Sequence, residues 1–264
     1  MNRVVVAAFA MALAMALPAF AQTDPGQTPP PESEGVDFLS RFAFHVGLEH
    51  LSSDDPRFVW DGHWGGELDF IDYGRGALTL FATYQTILGD QFREFDPNQG
   101  NYTLGGLASV RAGTVEVAGV FHHVSRHLSD RPKRFPVDWN MIGGRVRTRF
   151  VRGRTELTGQ MDVRGVIAKS FVDYDWEAEA NARAQVRLNS NVAVVALGAV
   201  RVLGVDRSQG RGDQFGWRSD GAIRLDRRAA ALELFVAGER RIDPYQLEFS
   251  TATWLTTGFR LLSR

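Results

Sequence analysis

The chain has no cysteine, only two lysines (Lys133 and Lys169) and, beyond its first residues, no long apolar run. The lack of cysteine excludes a disulfide framework, and with no thiol after the leader it also excludes a lipid-anchored lipoprotein. The lack of a second apolar run excludes a transmembrane helix, so any membrane-embedded part has to be a closed barrel. A formal net charge of -1 leaves no basic footprint for a nucleic acid partner. Arginine supplies nearly all the positive charge, a trait we attribute to genome composition.

Asn2 and Arg3 precede an apolar run from Val4 to Leu17, which Pro18 breaks. Ala19-Phe20-Ala21 then presents small residues at the two positions a signal peptidase reads. The run is too short to cross a hydrocarbon layer of ~30 Å comfortably, so residues 1–21 read as a cleaved export signal. Residues 22–36, QTDPGQTPPPESEGV, are rich in proline, glycine and acid and read as a disordered periplasmic linker. Residues 37–264 show no further change of composition and form one domain.

That domain is organised around FVDYDWEAEANARAQVRL, residues 171–188. Its even positions run Val172, Tyr174, Trp176, then alanines, Val186 and Leu188; its odd positions are all charged or amide, after Phe171. A strict period of two is a strand with a different solvent on each face. Its length exceeds the usual globular strand and suits the wall of a membrane barrel. Tyr174, Trp176, Val163 and Ile167 are therefore expected to face lipid, and Arg147, Arg164, Asp175 and Glu177 the lumen. Similar alternation recurs along the chain and gives about twelve strands: an all-β, closed, antiparallel, up-and-down transmembrane barrel.

The connections alternate in length. Asp72–Gly76, Ala112-Gly113, Val151–Arg154, Asn189–Asn191 and Asp226–Arg228 are short; Thr86–Asn101, Arg126–Pro136 and Gly204–Gln214 are long and polar. Short periplasmic turns and long external loops are the pattern of outer-membrane barrels. Turn positions imply registers: Arg111 opposite Thr114, Tyr102 opposite His123, Phe150 opposite Thr155 and Glu179 near Arg201. The lumen then holds Arg145, Arg147 and Arg149 beside Asp162, Arg164, Asp175 and Glu177. Such a lining is either a salt-bridged plug or the selectivity lining of a narrow pore. The chain ends Leu-Ser-Arg264 and lacks the terminal aromatic residue usual in outer-membrane barrels.

Phe121 to Arg131 reads FHHVSRHLSDR. Alternation puts Val115, Val117, Phe121, His123 and Ser125 on the lipid face, and Glu116, Ala118, Val120 and His122 inside. A histidine and a serine two residues apart, ~7 Å at Cα, thus share the outer face near the external rim. A neutral imidazole can take the serine proton while the hydroxyl oxygen attacks an ester. On the next strand Asp138 and Asn140 share that face; a register that sets Ser125 near Asp138 sets His123 near Asn140. His122, His123, His127 and Asp130 alternate between faces, which disfavours a metal site. No cofactor is expected. Arg126, Arg131, Lys133 and Arg134 suit the phosphates of lipopolysaccharide.

The His-x-Ser pair on a barrel strand resembles the site of outer-membrane phospholipase A and of the lipid A 3-O-deacylases. The resemblance implies an acyl-ester hydrolase whose site lies on the lipid-facing exterior, with Ser125 as nucleophile, His123 as base and Asn140 or Asp138 as orienting group. Its implied partners are membrane lipids and lipopolysaccharide, and its location the outer membrane. The run from His123 to Asp130 also resembles an HxSSHxGDE-like run in an uncharacterised family of bacterial outer-membrane proteins, with Arg126 in place of Ser, Ser129 of Gly and Arg131 of an acid. The His-x-Ser hydrolases continue with Asn-Gly after the serine, whereas this chain continues with Arg126-His127. The competing expectation is a non-catalytic barrel, either a narrow channel or a structural envelope protein.

Overall fold

A computed structural model describes residues 35–129 and 135–263. The leader and most of the linker lie outside these residues, as do Asp130, Arg131, Lys133, Arg134 and Arg264. The strands are β1 (Asp37–Leu51), β2 (Trp60–Asp72), β3 (Ala77–Gly89), β4 (Asp96–Ala112), β5 (Val115–Leu128) and β6 (Val137–Arg152). They continue as β7 (Thr155–Ser170), β8 (Tyr174–Arg187), β9 (Val192–Val205), β10 (Gln214–Asp226), β11 (Ala230–Ile242) and β12 (Thr251–Ser263). Each pairs antiparallel with its sequence neighbours, and β12 pairs with β1 to close the barrel.

Closure leaves no strand edge, which a lipid environment requires of a sheet. The outward positions carry an apolar belt that includes Phe42, Leu80, Leu104, Phe121, Ile142, Met161, Ile223, Leu234 and Phe259, all exposed. A surface of that kind is stable only against lipid or detergent. One rim has the tight turns 73–76, 113–114, 153–154, 188–191 and 227–229. At 113–114 and 153–154 the first loop residue is a glycine with φ of 60°. That left-handed residue is what a two-residue hairpin turn of the II′ kind needs.

This geometry corrects two registers. Each hairpin closes around Gly-X rather than before it, so Arg111 faces Glu116, Phe150 faces Leu157, and Tyr102 faces Ser125. The displacement is two residues, and because side chains alternate with period two, no residue changes face. Glu179 does pair with Arg201. The link expected over Thr86–Asn101 is also shorter: β3 and β4 pair up to Gly89 and Asp96, leaving residues 90–95.

Two face assignments fail, at Tyr174 and Asp175. A bulge between Tyr174 and Trp176 shifts the β8–β9 register. Trp176 faces outward as expected, but Tyr174 is buried and Asp175 is exposed, where it pairs with Lys169 at 2.8 Å. The extra residue of a bulge resets the alternation. Tyr174 thus reaches the lumen and donates its hydroxyl to Asp243 Oδ2 at 2.7 Å. Val163 and Ile167 face outward, and Arg147, Arg164 and Glu177 inward.

Charge lines the lumen around a cavity of about 230 Å³, and several of its pairs span distant strands. Glu67 on β2 binds Arg147 on β6 at 2.7 Å; Arg241 on β11 binds Asp61 on β2 at 2.7 Å; Arg218 on β10 binds Glu49 on β1 at 2.8 Å. Arg183 on β8 binds Glu233 on β11, and Arg164 binds Glu177 and Glu179 on β8. Pairing lowers the cost of holding so many charges out of bulk water. Toward the loop-bearing rim the lumen becomes apolar, with Trp139, Met141, Tyr174, Leu203, Val205 and Ile242 in one cluster.

Candidate active site at the loop-bearing rim

β5 and β6 pair with Ser125 opposite Asp138 and His123 opposite Asn140. Val124 packs behind them on the inner cluster that holds Trp139 and Met141, which fixes this end of both strands from within. A bulge between Asn140 and Met141, against β7, sets the turn of the wall at this point. The alternate residues His123, Ser125 and His127 then project outward.

His123 Nδ1 lies 2.9 Å from Asn140 Oδ1. An amide oxygen only accepts, so this bond places the proton on Nδ1 and leaves the lone pair on Nε2. Ser125 Oγ lies 2.8 Å from His127 Nε2 rather than bonding to His123. Asp138 stands across from Ser125, and among the described residues no hydrogen bond joins it to His123. Of Asp138 and Asn140, it is Asn140 that the structure brings into contact with His123.

Arg126 does not join this surface. It sits on the lumen side of β5, where its guanidinium donates to the carbonyls of Asp243 at 2.8 Å and Pro244 at 3.0 Å. The alternation that puts Ser125 outside puts its neighbour inside, so Arg126 is not placed to meet a headgroup on the outer wall. It instead ties β5 to the loop after β11. Arg131, Lys133 and Arg134 lie outside the described residues.

An aromatic row leads to the serine. Trp64, Tyr84, Tyr102 and Ser125 are successive cross-strand partners from β2 to β5. Ring centroids lie 4.5 Å apart for Trp64–Tyr84, 4.7 Å for Tyr84–Tyr102 and 5.3 Å for Tyr102–His127. Rows of Trp and Tyr mark the headgroup level of a barrel wall. Toward the opposite rim, next to His123, lies a shallow apolar groove of about 950 Å³. Leu78, Leu80, Leu104, Phe121 and Ile142 wall it, and Gly106, Ala108 and Gly119 form part of its floor.

The barrel of outer membrane phospholipase A from Escherichia coli superposes with a TM-score of 0.52 at 10% identity, over 84% of this chain and 92% of that one. The outer membrane phospholipase of Salmonella typhi gives 0.51 at 10% identity, over 84% and 90%. This chain has the fold of an outer-membrane barrel. No protein-family model and no curated protein matches it. At such identity the likeness concerns the fold, and the chemistry has to be argued from the residues.

His127 is the site residue that the sequence reading missed. A signal was present: it is the next outward position after Ser125, and alternation alone puts it beside the hydroxyl.

Proposed function

We propose that this protein is an outer-membrane acyl-ester hydrolase that acts on membrane lipid from the lipid-facing surface of its barrel. The observation that carries this reading is the Asn140–His123 bond beside Ser125, at the height of the aromatic row. A lipid ester lies just below its headgroup, and that is the level at which the serine stands. His123 Nε2 takes the Ser125 proton as Oγ attacks the ester carbonyl, and it returns a proton to the leaving alcohol. Water then releases the acyl group, with His123 again as base. In the resting chain the Ser125–His123 bond is unmade; such bonds commonly form only once substrate is bound.

The apolar groove takes the acyl chain, because it begins at Leu104, the cross-strand partner of His123, and descends from there. Arg131, Lys133 and Arg134 follow Ser125 closely in sequence, and we assign them the anionic headgroup of phospholipid or lipopolysaccharide. Fatty-acid release from phospholipid and from lipid A in mixed micelles tests the reading. Ser125→Ala should fold and lose all release, and His123→Ala nearly all. If wild type releases nothing, or Ser125→Ala matches it, the chain is a non-catalytic envelope barrel.

A further inference from the structure

Two residues past Ser125 this chain carries an imidazole, and it touches the serine hydroxyl. His127 Nε2 lies 2.8 Å from Ser125 Oγ, and its ring stands edge-on to Tyr102 at 5.3 Å between centroids. We propose that His127 is a second catalytic histidine, the donor that stabilises the oxyanion formed when Ser125 attacks an ester. This rests on the hydrolase reading above and adds a residue to it.

The assignment follows from proton bookkeeping. Asn140 Oδ1 commits His123 to carry its proton on Nδ1, which leaves His123 Nε2 as an acceptor. Ser125 has one proton, and attack requires that it go to His123. His127 Nε2, against the same oxygen, is then the donor, and Oγ accepts from it. As Oγ bonds to the ester carbon, the carbonyl π pair moves onto oxygen. That oxygen sits on the carbon bonded to Oγ, so the Nε2–H that touched Oγ turns to it with little motion. Collapse breaks the bond to the alcohol oxygen, which takes the proton held by His123, and water completes the cycle.

The edge contact with Tyr102, itself packed at a tilt against Tyr84, restrains the imidazole, so its donor is aimed before substrate arrives. Preorganised donors of this kind are typically worth about 10² to 10³ in kcat.

The experiment compares His127→Leu, which has no donor, with His127→Gln, whose amide can donate but cannot act as a base. Fatty-acid release gives kcat and KM, and labelling of Ser125 by a fluorophosphonate reports the nucleophile. We expect His127→Leu to lose roughly 10² to 10³ in kcat with KM little changed. His127→Gln should stay within about tenfold of wild type, since it keeps the donor. If His127→Leu keeps wild-type kcat, the residue is not catalytic. If Gln is as inactive as Leu, His127 is a base rather than a donor, and the assignment is overturned. Both outcomes leave wild-type release and labelling intact. Loss of release and labelling in wild type itself would instead defeat the hydrolase reading, and this inference with it.

Discussion

Asn140 reaches His123 through a single acceptor oxygen, and that simplicity makes it a sharp probe. Asn140→Ala removes the group that fixes the His123 tautomer but leaves the proposed base and nucleophile in place. It should cost less than Ser125→Ala, about 10- to 100-fold in release. Asn140→Asp retains an acceptor for Nδ1–H and should stay near wild type. Equal losses for Ala and Asp would show that the amide acts otherwise than by orienting the ring. Gly119 offers a second residue-level test. A Cβ built there meets no heavy atom within 4 Å, so Gly119→Leu should be tolerated and should fill the floor of the groove. Release from long-chain esters should fall while short-chain esters are spared; equal loss for both would show that the acyl chain lies elsewhere.

β8 shows how one element departs from its own pattern. Its alternation from Trp176 to Gln185 was legible because two solvents act on two faces along its length. The bulge before Trp176 was not legible, because its cause is tertiary: Asp243, in the loop after β11, accepts from Tyr174 and binds Arg211 at 2.6 Å. A single extra residue turns the tyrosine inward to meet that carboxylate. Tyr174→Phe keeps the ring in the cluster and deletes only the donor. It should lower stability by about 1.5 to 3 kcal/mol, the usual worth of a hydrogen bond to a charged group. Unfolding by urea in detergent micelles measures it, and an unchanged midpoint would mean that Arg211 and the Ser250 N–H suffice for the Asp243 carboxylate. In the hairpins the faces were legible and the registers were two residues out, since alternation does not say which residues the turn consumes.

The whole barrel is held from inside by ion pairs that cross the lumen. Glu67 is shared by Arg147 at 2.7 Å and Arg41 at 3.2 Å, and so links β2 to both β6 and β1. Glu67→Ala would leave the buried Arg147 guanidinium without its carboxylate, although Arg41 keeps Asp69 at 2.8 Å, and should cost about 3 to 5 kcal/mol. Heat denaturation in detergent, with circular dichroism of the sheet signal, reads that loss. The same crossing pairs obstruct the lumen around its cavity of about 230 Å³. Reconstituted in planar bilayers, the wild-type protein should show no steady ion conductance. A stable ohmic conductance would restore the narrow-pore reading of the arginine rows.

Alternation of apolar and charged residues determined, from sequence alone, the barrel, its even strand count and the lipid-facing side of His123, Ser125 and Asn140. It could do so because water and hydrocarbon select side chains one position at a time. The pairing of His123 with Asn140 followed from the same register, with Asp138 as an equal candidate until the side chains were placed. The tertiary structure decided that choice, the inward path of Arg126, the inversion at Tyr174 and the contact of His127 with Ser125. Each of these depends on a partner brought from another strand or loop, or on a side-chain rotamer, and periodicity records only the solvent that a residue meets.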